Sequence, residues 1–315
     1  MVFSRGQPHR YSLAGCPAHL SFIKEYVLFT KYQIREIPIS SSDYPKEWLG
    51  LKDAPEKLYA VGDISLLKER KVVIVGSRRT APPALQIGSQ IAKDLSHSVA
   101  IVTGTADGGD SAVIEGALAG SGRVICLLAG GFGSAPQFNL NLLQKVEKQG
   151  LILSPHPYDT PVRNFSYDYR NKLLAALGEG TLVIGAAEKS GALITARHAW
   201  SMKKQVFAIP YFPGHEAGVG CNAILRGGGI LTESAFDVAA KLAINLEERK
   251  LSEVKLTVDE GKLMTTLRSM TEGHIMDLSS MSGFPAYKVK ALLSALEVKG
   301  AVVALGGNRY TPAKK

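Results

Sequence analysis

The chain has little cysteine and no long apolar run. Its 315 residues include three cysteines, Cys16, Cys126 and Cys221. Their wide spacing and odd number exclude a disulfide framework and a paired-cysteine zinc site. A reducing cytoplasm is therefore the expected compartment. The longest stretch without a charged side chain, Val124 to Gln144, is broken by glycines, a proline and two asparagines. That composition describes a strand and a loop, not a membrane span. The first residues, MVFSRGQPHRYSLAGC, have no apolar core of signal-peptide length. None of the seven histidines has metal-ligand spacing. No nucleophile–base–acid triad signature is present, and there is no long repeat or low-complexity tract.

What is present is the composition of a globular protein. With 45% hydrophobic and 21% charged residues, disordered and fibrous classes are excluded. The length implies two domains or three. The net charge is +9, unevenly spread: +2 over residues 1–70, +2 over 71–248 and +5 over 249–315. An excess of this sign points towards nucleic acid, and over half of it sits in the last 67 residues.

Three regions are expected: a short N-terminal region over 1–40, a main domain over 41–248 and a C-terminal domain over 249–315. Periodicity stays weak up to about Arg70, where the polar cluster Ser40–Pro45 and Leu51-Lys-Asp-Ala-Pro lead into the main domain. From Lys71 onward, short β-branched runs ending in glycine alternate with helical stretches. Strands are expected at Lys71–Ser77, Val99–Thr105, from Val124, at Leu151–Ser154, from Thr181 and from Gln205. Helices are expected from Leu85, Asp110, Asn141, Tyr169 and Gly191. Such alternation needs crossovers, so it predicts an α/β fold with a Rossmann-like, mostly parallel sheet covered on both faces. Ligands in such sheets bind beyond the carboxyl ends of the strands. After the charged stretch Glu247–Lys250, the pattern becomes helix, short helix, turn at Gly283-Phe284, longer helix and two short strands joined by Gly306-Gly-Asn. That order is the winged helix-turn-helix pattern.

The glycine-ending loops hold the candidate chemistry. Gly76-Ser77-Arg78 offers a tight turn, a hydroxyl near a helix start and a fork of donors for phosphate. Gly104-Thr-Ala-Asp107-Gly108-Gly-Asp110 could bring backbone amides close to a ligand, while Asp110 is expected to cap the helix that follows. Ala129-Gly-Gly-Phe-Gly-Ser134 invites comparison with phosphoribohydrolases of nucleoside monophosphates. Ala129 and Gln137 replace the proline and catalytic glutamate of their signature, however, and a turn is the expected role. Tyr169-Arg170-Asn171-Lys172 places two cations and an amide at a helix start, with Phe165, Tyr167 and Tyr169 able to stack on bases. Ser190-Gly191-Ala-Leu-Ile-Thr195 either binds an anion or caps its helix. Cys221, in the glycine-rich Gly220-Cys221-Asn222 loop, has no partner base in sequence and is expected to be a bystander.

Taken in order, these motifs resemble one family. They are Tyr44-Pro45, Asp53-Ala-Pro-x-x-Leu58-Tyr59-x-x-Gly62, Val75-Gly-Ser-Arg78, Gly104-x-Ala106-x-Gly108-x-Asp110, Gly116-Ala-Leu118, Arg170-Asn-Lys172, Ser190-Gly-x-Leu-Ile-Thr-Ala196, Val206-Phe-Ala-Ile-Pro210 and Gly220-x-Asn222. The set is similar to the DNA-processing protein A (DprA/Smf) family, over about residues 40–240 with a winged-helix tail. The resemblance implies an extended Rossmann-like domain that binds single-stranded DNA, forms a homodimer and loads the RecA recombinase onto incoming DNA in natural transformation. It implies no catalytic activity, no cofactor, no metal and no membrane partner. It makes Gly76, Ser77, Arg78, Gly104, Gly108, Arg170, Asn171, Lys172, Ser190, Gly191, Thr195 and Asn222 the expected DNA- or phosphate-binding set. The chain departs from the pattern at Asp107, where a basic residue is usual, and at Ile114, where a histidine is usual. Gly185 stands for a glutamate, Tyr211 for a glycine, and Tyr167-Asp168 for a Phe-Pro pair. A nucleotide-binding sensor or phosphoribohydrolase-like enzyme using the same pocket is the alternative on fold grounds. Duplex binding through Lys288, Lys290 and Arg309 of the tail is a third.

Overall fold

A computed structural model describes residues 34–136, 139–246, 256–299 and 301–313. The readings placed on Cys16, Gln137 and the Glu247–Lys250 stretch lie outside the described residues, as does most of the expected 1–40 region. The chain divides into two compact units between Glu247 and Glu248.

The larger unit is built on a nine-stranded sheet. Its first strands are β1 (Arg35–Pro38), β2 (Lys57–Gly62) and β3 (Lys71–Gly76). Then β4 (Ala100–Thr103), β5 (Val124–Leu127) and β6 (Leu151–Ser154) alternate with α1 (Pro82–Leu95), α2 (Gly109–Ala119) and α3 (Leu140–Gln149). Helix α4 (Asn164–Leu177) leads to β7 (Gly180–Gly185), and α5 (Gly191–Ser201) to β8 (Gln205–Ala208). Helix α6 (Val219–Arg226), β9 (Ile230–Leu231) and α7 (Ala235–Leu242) complete the unit.

The strand order is β1-β2-β6-β5-β4-β3-β7-β8-β9. From β6 to β9 every pair is parallel, while β2 pairs antiparallel with both β6 and β1. Every residue of β3, β4, β5, β6 and β7 is buried, as a sheet covered on both faces requires. Alternate residues face opposite layers. Val73 and Val75 pack with Leu173, Leu174 and Leu177 of α4 and with Trp48. Val72 and Ile74 pack with Ile91, Val113 and Val238 of α1, α2 and α7.

This topology makes a switch point at β3. The chain leaves β3 for α1 and β4 on one face, and reaches β7, its other neighbour, from α4 on the opposite face. The loops beyond β3 and β7 therefore part and leave a crevice.

Three expectations need correction. Residues 35–40 do not belong to a separate N-terminal region, since β1 pairs with β2 at Ile37↔Leu58 and lies in the main sheet. These two strands are short and partly covered, with Leu58, Ala60 and Val61 of β2 buried and Lys57 and Gly62 exposed, so they show little periodicity. Gly220, Cys221 and Asn222 lie in helix α6, not in a loop.

The smaller unit contains α8 (Val258–Met270), β10 (Gly273–His274), α9 (Ile275–Ser282), α10 (Ala286–Val298), β11 (Val302–Gly306) and β12 (Arg309–Pro312). Leu263, Leu267, Leu278, Val289, Leu293 and Val302 form its core. Its sheet has three strands in the order β10-β12-β11. The third correction is β10, a strand added to the two expected in this region.

Candidate functional site

A cavity of about 430 Å³ opens at the switch point. Its walls come from the end of β3 (Gly76, Ser77, Arg78, Arg79), the start of α4 (Tyr167, Arg170, Asn171) and the β7–α5 loop (Lys189, Ser190, Gly191, Thr195), with Ala106 and Asp110 below. The size is that of a small-molecule site.

The local sequence explains the placement. Gly76 closes β3 where the loop after β4 crosses it, and a Cβ there would stand 2.8 Å from the Gly109 backbone. Ser77 donates its N–H to the Gly185 carbonyl at 2.8 Å, which locks the β3 turn to β7. On α4, Tyr167, Arg170, Asn171 and Leu174 share the cavity-facing stripe at helical spacing. Ser190 accepts a hydrogen bond from Ala192 N at 3.2 Å, so it caps α5. The Asn171 amide donates to the Gly191 carbonyl at 3.2 Å and ties α4 to α5.

Arg170 is the centre of the site. It is 6% exposed, faces Asp110 at 3.9 Å and lies 6.0 Å from the Tyr167 ring centre. Asp110 in turn accepts from Gly76 N at 3.3 Å and Ala106 N at 3.2 Å. It therefore does not cap α2, whose N-cap is Gly108; it is the second helical residue and reaches back to tie two loops together. Burial pushes the Asp110 carboxyl up, and the Arg170 guanidinium opposes that shift. Arg170 stays charged at any physiological pH. Its Nε is buried and has no hydrogen-bond partner, an orphan donor that calls for an acceptor. Around the cavity, Arg78, Arg79 and Lys189 are exposed.

Several expected site residues do other work. Gly104 does not line the cavity. A Cβ there would stand 1.8 Å from Arg170 Nη1 and 2.3 Å from Asp110 Oδ2, so the glycine makes room for the ion pair. Gly108, at φ +77°, holds the β4–α2 loop against the Arg78 backbone. Lys172 projects from another side of α4, where its ammonium meets Asp53 at 2.5 Å beside His156, Tyr169 and His198. Asn222 clamps the segment after β8, accepting from Tyr211 N and donating to Tyr211 O, each at 3.0 Å. The sequence reading missed Arg79 and Lys189, which carry charge without belonging to a quoted motif.

Two departures from the family pattern prove to be coupled. A Cβ at Gly185 would lie 2.7 Å from the Tyr211 hydroxyl, which donates to the Ile184 carbonyl at 2.8 Å. Tyr211 thus occupies the space beside Gly185. Asp107 is exposed, accepts from Gly108 N at 2.8 Å and lines the α1–α2 groove instead of the cavity.

Comparison with known proteins agrees with this geometry. Residues 35–243 match the family model of DNA recombination-mediator protein A. The DNA processing protein DprA of Bacillus subtilis is 37% identical over 180 residues, covering 56% of this chain and 61% of that protein. The DprA of Streptococcus pneumoniae is 32% identical over 226 residues, covering 71% and 77%. A structure of DNA processing protein A from Helicobacter pylori, described for its single-stranded DNA binding mode, superposes with a TM-score of 0.61. It is 31% identical and covers 68% of this chain and 98% of that one. The match spans the whole sheet with its switch-point cavity, and the chain belongs to the DNA recombination-mediator protein A family.

Proposed function

We propose that this chain binds single-stranded DNA through the switch-point cavity and its rim, without catalysing a reaction on it. The observation that carries the reading is Arg170, a buried cation with an unpartnered Nε in a cavity bordered by Arg78, Arg79 and Lys189. Phosphate is the acceptor such a donor set suits, and Tyr167 and Phe165, both exposed, offer faces for base stacking. Hydrolysis of a glycosidic bond would need a carboxylate free to act. Among the described lining residues Asp110 is the carboxylate, and it is committed to two backbone amides and Arg170. This favours binding over the enzyme reading. The resemblance extends the proposal to its setting: a cytoplasmic recombination mediator that acts as a homodimer, protects incoming DNA and passes it to the RecA recombinase. On its element order, the smaller unit is a winged helix in this proposal.

Fluorescence anisotropy tests the reading. An unstructured oligonucleotide should bind with an affinity that falls as salt rises. Arg78→Ala combined with Arg170→Lys should lose at least about tenfold. Salt-insensitive binding, or binding that the double variant leaves unchanged, would sink the proposal.

A further inference from the structure

Helix α4 has a second polar side. Next to the stripe that faces the switch-point cavity, Phe165, Asp168, Tyr169 and Lys172 line an open pocket of about 690 Å³. Asp53, His156 and His198 complete its walls. The two pockets flank the first turns of one helix, so roughly its width, about 10–12 Å, separates them. A strand held at the cavity rim can therefore lay a neighbouring nucleotide on this second side.

The chemistry of the pocket is open to solvent. Phe165 is 66% exposed, and the Asp168 side chain is 62% exposed. His198 Nε2 lies 3.2 Å from Asp168 Oδ1. Among the described residues no group bonds Asp168 Oδ2, which leaves that oxygen for a further donor. The other polar groups are occupied. Lys172 meets Asp53 at 2.5 Å, and the Tyr169 hydroxyl donates to the Asp53 carbonyl at 2.8 Å. The His156 ring stands 5.9 Å from that of Tyr169, and burial lowers its pKa, so it adds no charge at neutral pH.

Charge decides which part of a strand this pocket takes. Its lining sets one ammonium, Lys172, against two carboxylates, Asp53 and Asp168. The balance is one negative charge, or zero with His198 protonated. The switch-point cavity has four cations against one acid and attracts phosphate, whereas this pocket does not. A base is neutral, and its π-face can lie on the Phe165 ring. A carboxylate only accepts hydrogen bonds, so Asp168 selects a base edge that donates. Cytosine offers its N4 amine and adenine its N6 amine, and a carboxylate accepts from such a group. Thymine carries a carbonyl oxygen in that place.

We propose that this pocket is a base subsite, in which Phe165 stacks on the base and Asp168 accepts its exocyclic amine, so that cytosine or adenine is preferred to thymine. The inference rests on the single-stranded DNA reading and deepens it by naming the bases the strand presents beside the cavity. Asp168 stands where the family pattern has a proline, so the preference belongs to this chain.

The test is competition anisotropy on the full chain at one salt concentration. Three strands of equal length are compared: all thymine, thymine with every third base cytosine, and the same strand carrying N4,N4-dimethylcytosine. Their backbones are identical, so phosphate contacts cancel in the ratios. The cytosine strand should bind about fivefold tighter than the thymine strand, the lower end for a hydrogen bond to a charged group at an open site. Dimethylation removes the donor and should abolish the gain. The ratio should fall to about one in Asp168→Ala and be partly restored in Asp168→Glu. A role in folding or in the general field would move all three strands together and leave the ratio standing. Melting curves report whether the variants fold, and the dimethylated strand on the wild-type chain decides the matter if they do not. Equal affinity for the three strands overturns the base subsite while the single-stranded DNA reading stands. A ratio that survives dimethylation, or that persists in folded Asp168→Ala, overturns the role of Asp168. If no strand binds, the DNA reading fails and the subsite falls with it.

Discussion

At the scale of single residues, the site depends as much on what is missing as on what is there. Gly104 gives up its side chain so that Arg170 and Asp110 can meet beneath the cavity. Gly104→Ala should therefore destabilise the fold by about 1–3 kcal/mol and weaken strand binding, as urea melts and anisotropy would record. Gly191→Ala, with its nearest atom 3.8 Å away, should do neither. The residue-level reading of the sequence was legible where backbone geometry decides and opaque where helix phase decides. Arg170, Asn171 and Lys172 are adjacent in the motif, but side chains two apart on a helix do not face each other. Arg170 therefore lines the cavity, while Lys172 meets Asp53 on another side. Lys172→Ala should change strand affinity less than about twofold, since the exposed pair it breaks is worth little. Asn222 gives the matching case. Asn222→Ala should cost about 1–2 kcal/mol from two lost hydrogen bonds, with strand affinity unchanged in the same titration.

At the scale of elements, α4 is the part that matters most, because its first turns face the cavity and its last turn is buried in the core. One side of its first turns lines the cavity, and its carboxyl end needs a cation. Lys204 supplies one. Its ammonium donates to the carbonyls of Ala175, Ala176 and Gly178 at 3.1, 2.5 and 2.7 Å, and burial lowers its pKa. Trp48 pins the same helix from outside the sheet, its indole N–H donating to the Leu173 carbonyl at 2.9 Å. Lys204→Met should cost about 2–3 kcal/mol, because three carbonyls lose a charged donor at once. Thermal melting measures that loss, and Lys204→Arg should recover part of it. None of this was visible in sequence. The buried strands β3 to β7 announce themselves as β-branched runs, and the helix stops as glycines. A lysine that caps a helix 26 to 29 residues away leaves no local pattern. Strands β1 and β2 were hidden for a related reason: only part of each is buried, and their partners are distant in sequence.

At the scale of the whole molecule, the question is where the charge excess acts. By sequence the C-terminal region holds more than half of it, at +5 for residues 249–315. Its described span, 256–313, contains six basic and five acidic side chains. Three of those cations are engaged: Lys288 with Asp259 at 2.7 Å, Lys299 with Glu260 at 2.6 Å and Arg309 with Glu272 at 2.8 Å. Two of the three residues expected to contact duplex DNA, Lys288 and Arg309, are thus already paired. The exposed turns of α10 present Tyr287, Lys290 and Ser294, which is a weakly charged face. The cavity of the larger unit is the denser positive centre, with four cations against one acid. Counterion release converts this into a number. For single strands the logarithm of affinity falls by about 0.7 per phosphate contact for each logarithm of salt. Arg78, Arg79, Arg170 and Lys189 together therefore predict a slope no steeper than about −3. Lys290→Glu in the full chain should leave that slope unchanged. A distinctly steeper slope that Lys290→Glu reduces would move part of the DNA contact to the smaller unit, and the cavity would then be one contributor to binding instead of its centre.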